Sequence, residues 1–575
     1  MRSQWGIRLP SGEFLDTPAD FGLQFEFNNQ VFSTGDASVL PGAFSFPVSV
    51  ALTPRMRQQL NHPDRIDNTE YFQEISGVEV CIDGNTLFVG NMKIDKYQGG
   101  KISLTIIVNL LSTFKKTTLD QLDLGGDRSI ADWGTTMYDT ADNPEDYDFA
   151  FFPVVGFEIN SRSTGPSHPI NWFFQNYFEE TTGEFIENSE GFYSPFVKLK
   201  YLLQQIFTNL GEGYQYSNAW QNTPELERLY IYNNVDARQF GVSDTEPTLP
   251  GAINLNRFVP KMPATDFLKK MVAQWCLGMF VNHFKRSFRI VPLSTVLSAA
   301  TKKNWTEYAV ADVTIDAPEA FPANFNYKNV NQVRAGAPEP RNAEQFETFQ
   351  DYIDIGATED FVYIESHTMM LDLSVDSNGV RKIHHGYYTD DNGETFDPGM
   401  ESLFANDVLG VACYESPVNL SRWTEETLTG GGTAWTKEEY DFPCALMFYR
   451  GIQELETGTD PFPVAGNHVW KERVGAGAIV DITAGGSVLD TAQWSMNWQG
   501  EYGLYNKAWK QWHTMLRQGK HVTQNFILPI SVLREFSFED KIRVGNMDYF
   551  LKKLRIQKLM ANGRVQVETS MVSII

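Results

Sequence analysis

Pro263-Ala264-Thr265-Asp266-Phe267-Leu268-Lys269-Lys270-Met271-Val272-Ala273-Gln274-Trp275-Cys276-Leu277-Gly278 is the best-patterned stretch of this 575-residue chain. Phe267, Leu268, Met271, Val272 and Trp275 recur at intervals of three and four, which puts them on one face of a helix. Gly278 is placed to end that helix, since glycine takes left-handed backbone angles without a Cβ clash. Beyond it, Met279 to His283 and Phe288 to Val291 read as two strands joined by a turn at Phe284-Lys285-Arg286. The same device occurs upstream. Phe196, Leu199, Leu203, Ile206, Phe207 and Leu210 form an apolar stripe, Gly211 closes it, and Gly213-Tyr214-Gln215-Tyr216 follows as a strand. Ser194 is expected to cap this first helix, with Pro195 at its first position. Burying five or six such side chains contributes roughly 1.5–3 kcal/mol each. Ordering a helix of this length costs roughly 1–2 kcal/mol per residue. Neither helix can therefore stand alone, and each must pack on a sheet.

Working outward, residues 1–20 read as an irregular arm. Leu23, Phe25 and Phe27 alternate with polar residues as on a half-buried strand. Phe44 to Val50 also alternates, and Pro47 within it argues for an edge strand or a bulge. Thr53-Pro54 predicts a short capped helix through about Leu60. Val78, Val80 and Ile82 alternate up to Asp83-Gly84, a hairpin signal, and Leu87, Val89, Met92 and Ile94 continue beyond it. Gly99-Gly100 turns into a third strand carrying Ile102, Leu104, Ile106 and Val108. Ser112 is expected to start a helix containing Phe114, Leu119 and Leu122 that stops at Gly125-Gly126.

Past the twin units, Ala335-Gly336-Ala337-Pro338 reads as a linker. Short strands alternate with turns at Asp390 to Gly393 and Gly430 to Gly432. At the C-terminal end, Trp494, Met496 and Trp498 alternate. Leu504, Ala508, Trp509, Trp512, Met515 and Leu516 stripe a helix that ends at Gly519. A β-meander follows, turning at Gly545-Asn546 and Asn562-Gly563. The expected fold class is α+β, predominantly β, with several β-barrel or sandwich domains and a few amphipathic helices packed on sheets. The expected parts are an N-terminal β-barrel (1–125), an acidic loop-rich insertion (126–192), the duplicated helix-strand module (193–340), a peripheral β-rich domain (341–490), and a C-terminal helix plus meander completing a second barrel (491–575).

The net charge is −25 and 13% of residues are aromatic, with 41 Phe and 23 Tyr. The aromatic share favours strands. The acidity opposes bulk binding of duplex nucleic acid. Cys81, Cys276, Cys413 and Cys444 make neither a disulfide framework nor a zinc knuckle, and read as buried free thiols of a reducing compartment. The N-terminus lacks a signal-peptide core, and no apolar run approaches the ~20 residues of a membrane helix, so stable membrane insertion and export by a cleaved signal are not expected.

Recognised chemistry is scarce. His-Glu-x-x-His, the phosphate-binding Gly-x-x-x-x-Gly-Lys loop and the Gly-x-Ser-x-Gly elbow are missing from the sequence. The carboxylates of Asp139, Asp142, Glu145, Asp146 and Asp148 lack EF-hand spacing and read as a solvated loop. His384 and His385 would point to opposite faces of a strand and cannot share one ion. His513 and His521 straddle Gly519, which breaks helical alignment. Trp494, Trp498, Trp509 and Trp512 fall on element stripes and read as core. No catalytic, cofactor-binding or metal residue is expected, and no cofactor.

Three places carry a family resemblance. One is Phe44-Ser45-Phe46-Pro47-Val48 with Thr53-Pro54 and Asn61-His62-Pro63. Another is Met262 to Lys269 with the strand after Gly278 and Asn304-Trp305-Thr306. The last is Gly503-Leu504-Tyr505 with Leu528-Pro529-Ile530 and Tyr549-Phe550-Leu551-Lys552-Lys553-Leu554. On these the chain resembles baseplate or tail-tip hub proteins of tailed bacteriophages, particularly those of Bacteroidetes-type phages and prophages. The resemblance implies a structural virion protein made in the host cytoplasm. It implies a homotrimer whose two barrels per chain form a ring of six, matching the hexameric tail tube. The implied partners are tail tube and distal tail proteins, the tape measure protein and tail spike or fibre proteins. DNA would pass only in transit through a channel that the hub gates. The family has no catalytic residues to carry over. Two other readings stand beside it: a tail-associated cell-wall hydrolase carried in residues 345–490, and a receptor- or glycan-binding tail protein.

Overall fold

The hairpin at Asp83-Gly84 forms as its residues dictate, with φ of 50° and 79°. In this computed structural model it joins Glu74–Ile82 to Asn85–Gln98 in antiparallel register. Gly99 and Gly100, also at positive φ, turn the chain into Lys101–Val108. The structure describes residues 4–17, 21–32, 42–45, 48–67, 74–108, 117–159, 170–179, 182–185, 192–209, 215–241, 247–282, 287–301, 303–315, 421–427, 433–442, 444–453, 494, 503–560 and 563–574, together with short strands between 326 and 479. The expected helix residues before 117, the 335–340 linker, the turns at 390–393 and 430–432, and Met496 to Gly500 lie outside the described residues.

These three strands belong to a 13-stranded sheet that takes in both ends of the chain. Its order runs Trp5–Arg8, Glu74–Ile82, Asn85–Gln98, Lys101–Val108, Gly42–Ser45, Phe25–Asn28, Met547–Met560, Arg564–Ser573, His521–Pro529 and Ala309–Ile315. Phe25–Asn28 pairs with Lys553–Ile556, so N- and C-terminal parts share one hydrogen-bonded ladder. Asn29 fastens the seam. Its backbone N–H donates to the Lys552 carbonyl at 2.9 Å. Its buried side-chain amide donates to the Leu551 carbonyl at 2.8 Å and the Phe538 carbonyl at 3.3 Å. The register of the partner strand shifts between Leu551 and Lys553, a bulge at the two residues on that strand whose carbonyls Asn29 meets. One core unites the two parts: Trp5, Phe25, Val80, Phe88 and Leu104 pack with Phe526, Leu551, Ile556 and Val567. Phe25 and Phe88 meet edge-on at 4.5 Å between ring centres.

Thr53 caps Pro54–Gln59 by accepting the Met56 N–H, as its position predicts. Gly545 and Gly563 take positive φ in the C-terminal hairpins. The fold is α+β and predominantly β, as expected.

The twin units build a second core. Helix Ala264–Trp275 buries Phe267, Leu268, Met271 and Trp275. Leu277–Asn282 and Ser287–Pro292 follow as an antiparallel pair. The strand of the upstream copy, Gln215–Asn218, adds to Ser287–Pro292 in parallel, so both copies feed one three-stranded sheet. A six-stranded sheet lies in the same core. In it Ala445–Gln453, Leu229–Ile231, Phe196–Lys198 and Phe149–Ala150 are successive neighbours. Phe152 stacks on Tyr449 at 4.7 Å.

Four sequence expectations need correction. Phe196–Lys198 is a strand, and the first helix is Leu199–Asn209. Ser194 therefore caps nothing. Its buried hydroxyl donates to the Val235 carbonyl and accepts from Gln175 Nε2, both at 2.8 Å. In the second unit Cys276, not Gly278, takes the left-handed position, with φ 49°. Its N–H closes on the Val272 carbonyl, and Gly278 already lies in the strand. Leu119–Gln121 is a single 3-10 turn, not helix. Trp133–Asp142, expected as loop, is a helix capped by Asp132 and anchored by Trp133, Met137 and Ala141.

Gly278 is required by space. A Cβ there would stand 2.4 Å from the Phe280 ring and 2.9 Å from Leu293 Cδ2. Gly278→Ala is expected to cost roughly 1–3 kcal/mol through overpacking, read as a lowered midpoint in thermal unfolding.

Candidate functional site

The residue types weighed for chemistry take structural positions. His513 is buried and shares a 2.9 Å hydrogen bond with the Tyr505 hydroxyl. Trp509 and Trp512 are core, and the Trp509 indole N–H donates to the Gln274 carbonyl. Trp494 packs on Trp275. His384 and His385 lie on Lys382–His385, opposite Met370 and Met369. In the acidic segment, Glu145 pairs with Arg228 and Asp148 with Arg128. Among the described residues no cluster of His, Cys, Asp or Glu could hold a metal ion, and no helix is long and apolar enough to cross a membrane. Cys81, Cys276 and Cys444 are buried and form no disulfide, and burial pushes the Cys276 thiol well up. The side chain of Cys413 lies outside the described residues.

Two features remain as candidate sites. The first is an open sheet edge. Ala309–Ile315 ends the 13-stranded sheet and pairs, among the described residues, only with His521–Pro529. Val313 is 52% exposed and Ile315 66%. An exposed edge with apolar side chains and unpaired backbone groups is a template for another strand.

The second is a cleft of about 980 Å³ between the turns at 237–240 and 255–258 and the segment 439–444. Its walls are built from short capped pieces. Asp236 accepts the Arg238 N–H to start Ala237–Phe240, and Asn254 accepts the Asn256 N–H to start Leu255–Phe258. Asp236 is itself buried; desolvation raises its pKa, against the opposing pull of Arg238 at 2.8 Å. Ser421 fixes the far wall by exchanging hydrogen bonds with the Tyr440 backbone, accepting from its N–H and donating to its carbonyl. Arg257 lies over the Phe240 ring at 4.3 Å and Lys437 at 5.5 Å. Lys437 hydrogen-bonds Glu439 and holds its carboxyl below the usual range, with Lys261 adding a smaller pull. The cleft draws on residues far apart in sequence, and no local motif marks it.

No family model and no curated protein matches this chain. Among solved structures it is similar to the 43 kDa tail protein of prophage MuSo2 from Shewanella oneidensis. That similarity covers 99% of this chain and 98% of the other at 8% identity and a TM-score of 0.32. It is also similar to the prophage tail protein gp18 from Listeria monocytogenes EGD-e, over 98% and 94% of the two chains, at 7% identity and a TM-score of 0.31. Both of these are tail proteins of phage origin by name. Overlaps this loose carry no residue roles across.

Proposed function

We propose that this protein is a structural component of a phage tail, a trimeric tail-tip or baseplate hub of a Bacteroidetes-type phage or prophage. In this reading it joins the hexameric tail tube to a spike or fibre and gates the DNA channel. The sequence resemblance motivates the reading. The observation that supports it best is the open edge Ala309–Ile315, where exposed Val313 and Ile315 offer a continuing sheet to another subunit. The net charge of −25 fits a conduit that DNA traverses without sticking. Distal tail, tape measure and fibre proteins are the partners this role requires.

The test is the mass of the purified chain in solution. A trimer is expected at three times the 65.3 kDa of one chain. Val313→Lys with Ile315→Lys is expected to shift it towards monomer, since edge lysines block strand addition. A wild-type chain that stays monomeric at all concentrations, or a double variant that still trimerises fully, would overturn the reading.

A further inference from the structure

We infer that the exposed face of helix Lys510–Gln518 docks on helix Trp133–Asp142 of a second copy of this chain. The contact is separate from the open edge Ala309–Ile315 and stands whether or not the chain is a trimeric hub. The two faces carry opposite and unmixed charge. From Tyr502 to Arg534 the sequence has no acidic residue, although the chain as a whole carries a net −25. From Ser129 to Ser161 it has no lysine or arginine, while Asp132, Asp139, Asp142, Glu145, Asp146 and Asp148 fall there. Soluble surfaces ordinarily intersperse the two signs.

The apolar stripes decide what each helix shows. Trp512, Met515 and Leu516 are buried, which leaves Lys510, Thr514 and Arg517 exposed on the opposite side. Trp133, Met137 and Ala141 are buried on the other helix, which leaves Asp132, Thr135 and Asp142 exposed and Asp139 half-buried. Tyr138 stands among these carboxylates with 40% of its surface exposed, an aromatic face open to a cation. Among the described residues Lys510, Arg517, Asp132, Asp139 and Asp142 make no ion pair. Within one chain the two helices pack on different neighbours. The basic one lies on Leu293–Ser298, the acidic one on Ala445–Gln453 and Phe149–Ala150. Both sets of charge are therefore left for another molecule, and each matches what the other lacks.

Spacing and dipole set the orientation. Lys510 and Arg517 are as far apart in sequence as Asp132 and Asp139, so both pairs of charges span the same ~10 Å along a helix. Antiparallel packing puts the negative carboxyl end of the basic helix beside the positive amino end of the acidic one, where Asp132 is the cap. In that order Lys510 faces Asp139 and Arg517 faces Asp132. The exposed Thr514 and Thr135 meet between them, and Lys507, in the preceding turn, extends the series towards Asp142. The contact joins unlike faces and therefore runs head to tail, closing a ring or extending a chain.

The test mixes full-length Thr514→Cys and Thr135→Cys chains and treats them with a short bis-maleimide. A covalent dimer is expected in the mixture, beyond the level given by either variant alone or by the wild-type chain. Raising salt from about 0.05 M to about 0.5 M should lower its yield, since the screening length shrinks over that range. Adding Lys510→Glu to the Thr514→Cys chain should cut the yield roughly tenfold. Adding Asp139→Lys to the Thr135→Cys partner of that chain should restore it. An unchanged thermal midpoint in each variant separates lost contact from lost fold. No dimer beyond the controls overturns the inference, whatever the mass of the chain in solution. So does a yield that Lys510→Glu leaves unchanged, or that Asp139→Lys fails to restore. A trimer without the cross-link would leave the hub reading standing and sink this contact, and a cross-link without a trimer would do the reverse. Binding of the basic face to duplex DNA or anionic lipid vesicles, with no cross-link between copies, would assign it to phosphate and equally overturn the inference.

Discussion

A chain ending at residue 502 is expected to lose its N-terminal sheet as well as the deleted part. Residues 503–575 supply Phe526, Leu528, Ile542, Leu551, Leu554, Ile556, Val565, Val567 and Met571 to the core that Trp5, Phe25 and Phe88 share. Burial stabilises by roughly 1.5–3 kcal/mol per such side chain. Their combined loss is about as large as, or larger than, the ~5–15 kcal/mol by which a domain is ordinarily stable. The cut also bares the backbone edge of Phe25–Asn28, now paired with Lys553–Ile556. The truncated chain should be largely insoluble. Any soluble fraction should bind a dye that reports exposed apolar surface and lack the near-ultraviolet dichroism of the full chain. Cooperative unfolding of the truncated chain at the full-length midpoint would show instead that the N-terminal strands hold together unaided.

Trp275→Ala should produce the largest effect of a single substitution. Trp275 is 1% exposed and closes the second helix unit. Its ring lies 5.0 Å from Trp220, 5.5 Å from Trp494 and 6.1 Å from Phe448. One side chain thus touches segments well before, and well after, its own helix. Truncation to Ala costs roughly 3–5 kcal/mol, the lost transfer energy plus the cavity left behind. At about 2–4 °C per kcal/mol for a unit of 150–250 residues, the corresponding transition should fall by roughly 6–20 °C. Trp275→Phe should recover part of the loss. A shift below about 2 °C would mean that the site repacks and that the helix owes its place to other contacts.

Local patterns made much of this fold legible. The Asp83-Gly84 and Gly563 turns could be read because positive φ is cheap for glycine, and the helix Ala264–Trp275 because its apolar residues keep period. Helix Trp133–Asp142 was hidden because its buried face, Trp133, Met137, Thr140 and Ala141, includes a polar residue and few large apolar ones, while Asp139 and Asp142 give the segment an acidic look. The first unit was misread at its start. Ser194-Pro195 has the form of a cap, yet Ser194 is claimed by a buried network with Gln175, Asn176 and Val235. The exchange of Cys276 for Gly278 as helix terminator shows the limit of residue preference. Gly278 is needed for its missing Cβ against Phe280 and Leu293, while the helix ends two residues earlier. Neither the pairing of Phe25–Asn28 with Lys553–Ile556 nor the cleft beside Phe240 has a local signature. Both join residues hundreds of positions apart or gathered from five separate segments.

The seam held by Asn29 has a consequence for how the protein is made. Asn29 and Leu551 are 522 residues apart. At a synthesis rate of ~5–20 residues per second, Phe25–Asn28 waits roughly half a minute to nearly two minutes for its partner strand to emerge. Throughout that interval the nascent chain carries an unfilled strand position beside a half-built core. Strands from neighbouring nascent chains on the same message could fill it, so early exposure favours either chaperone shielding or exchange between copies. The order of synthesis thus makes completion of the last hairpin, Met547–Met560 with Arg564–Ser573, the event that commits the first strands to their own chain.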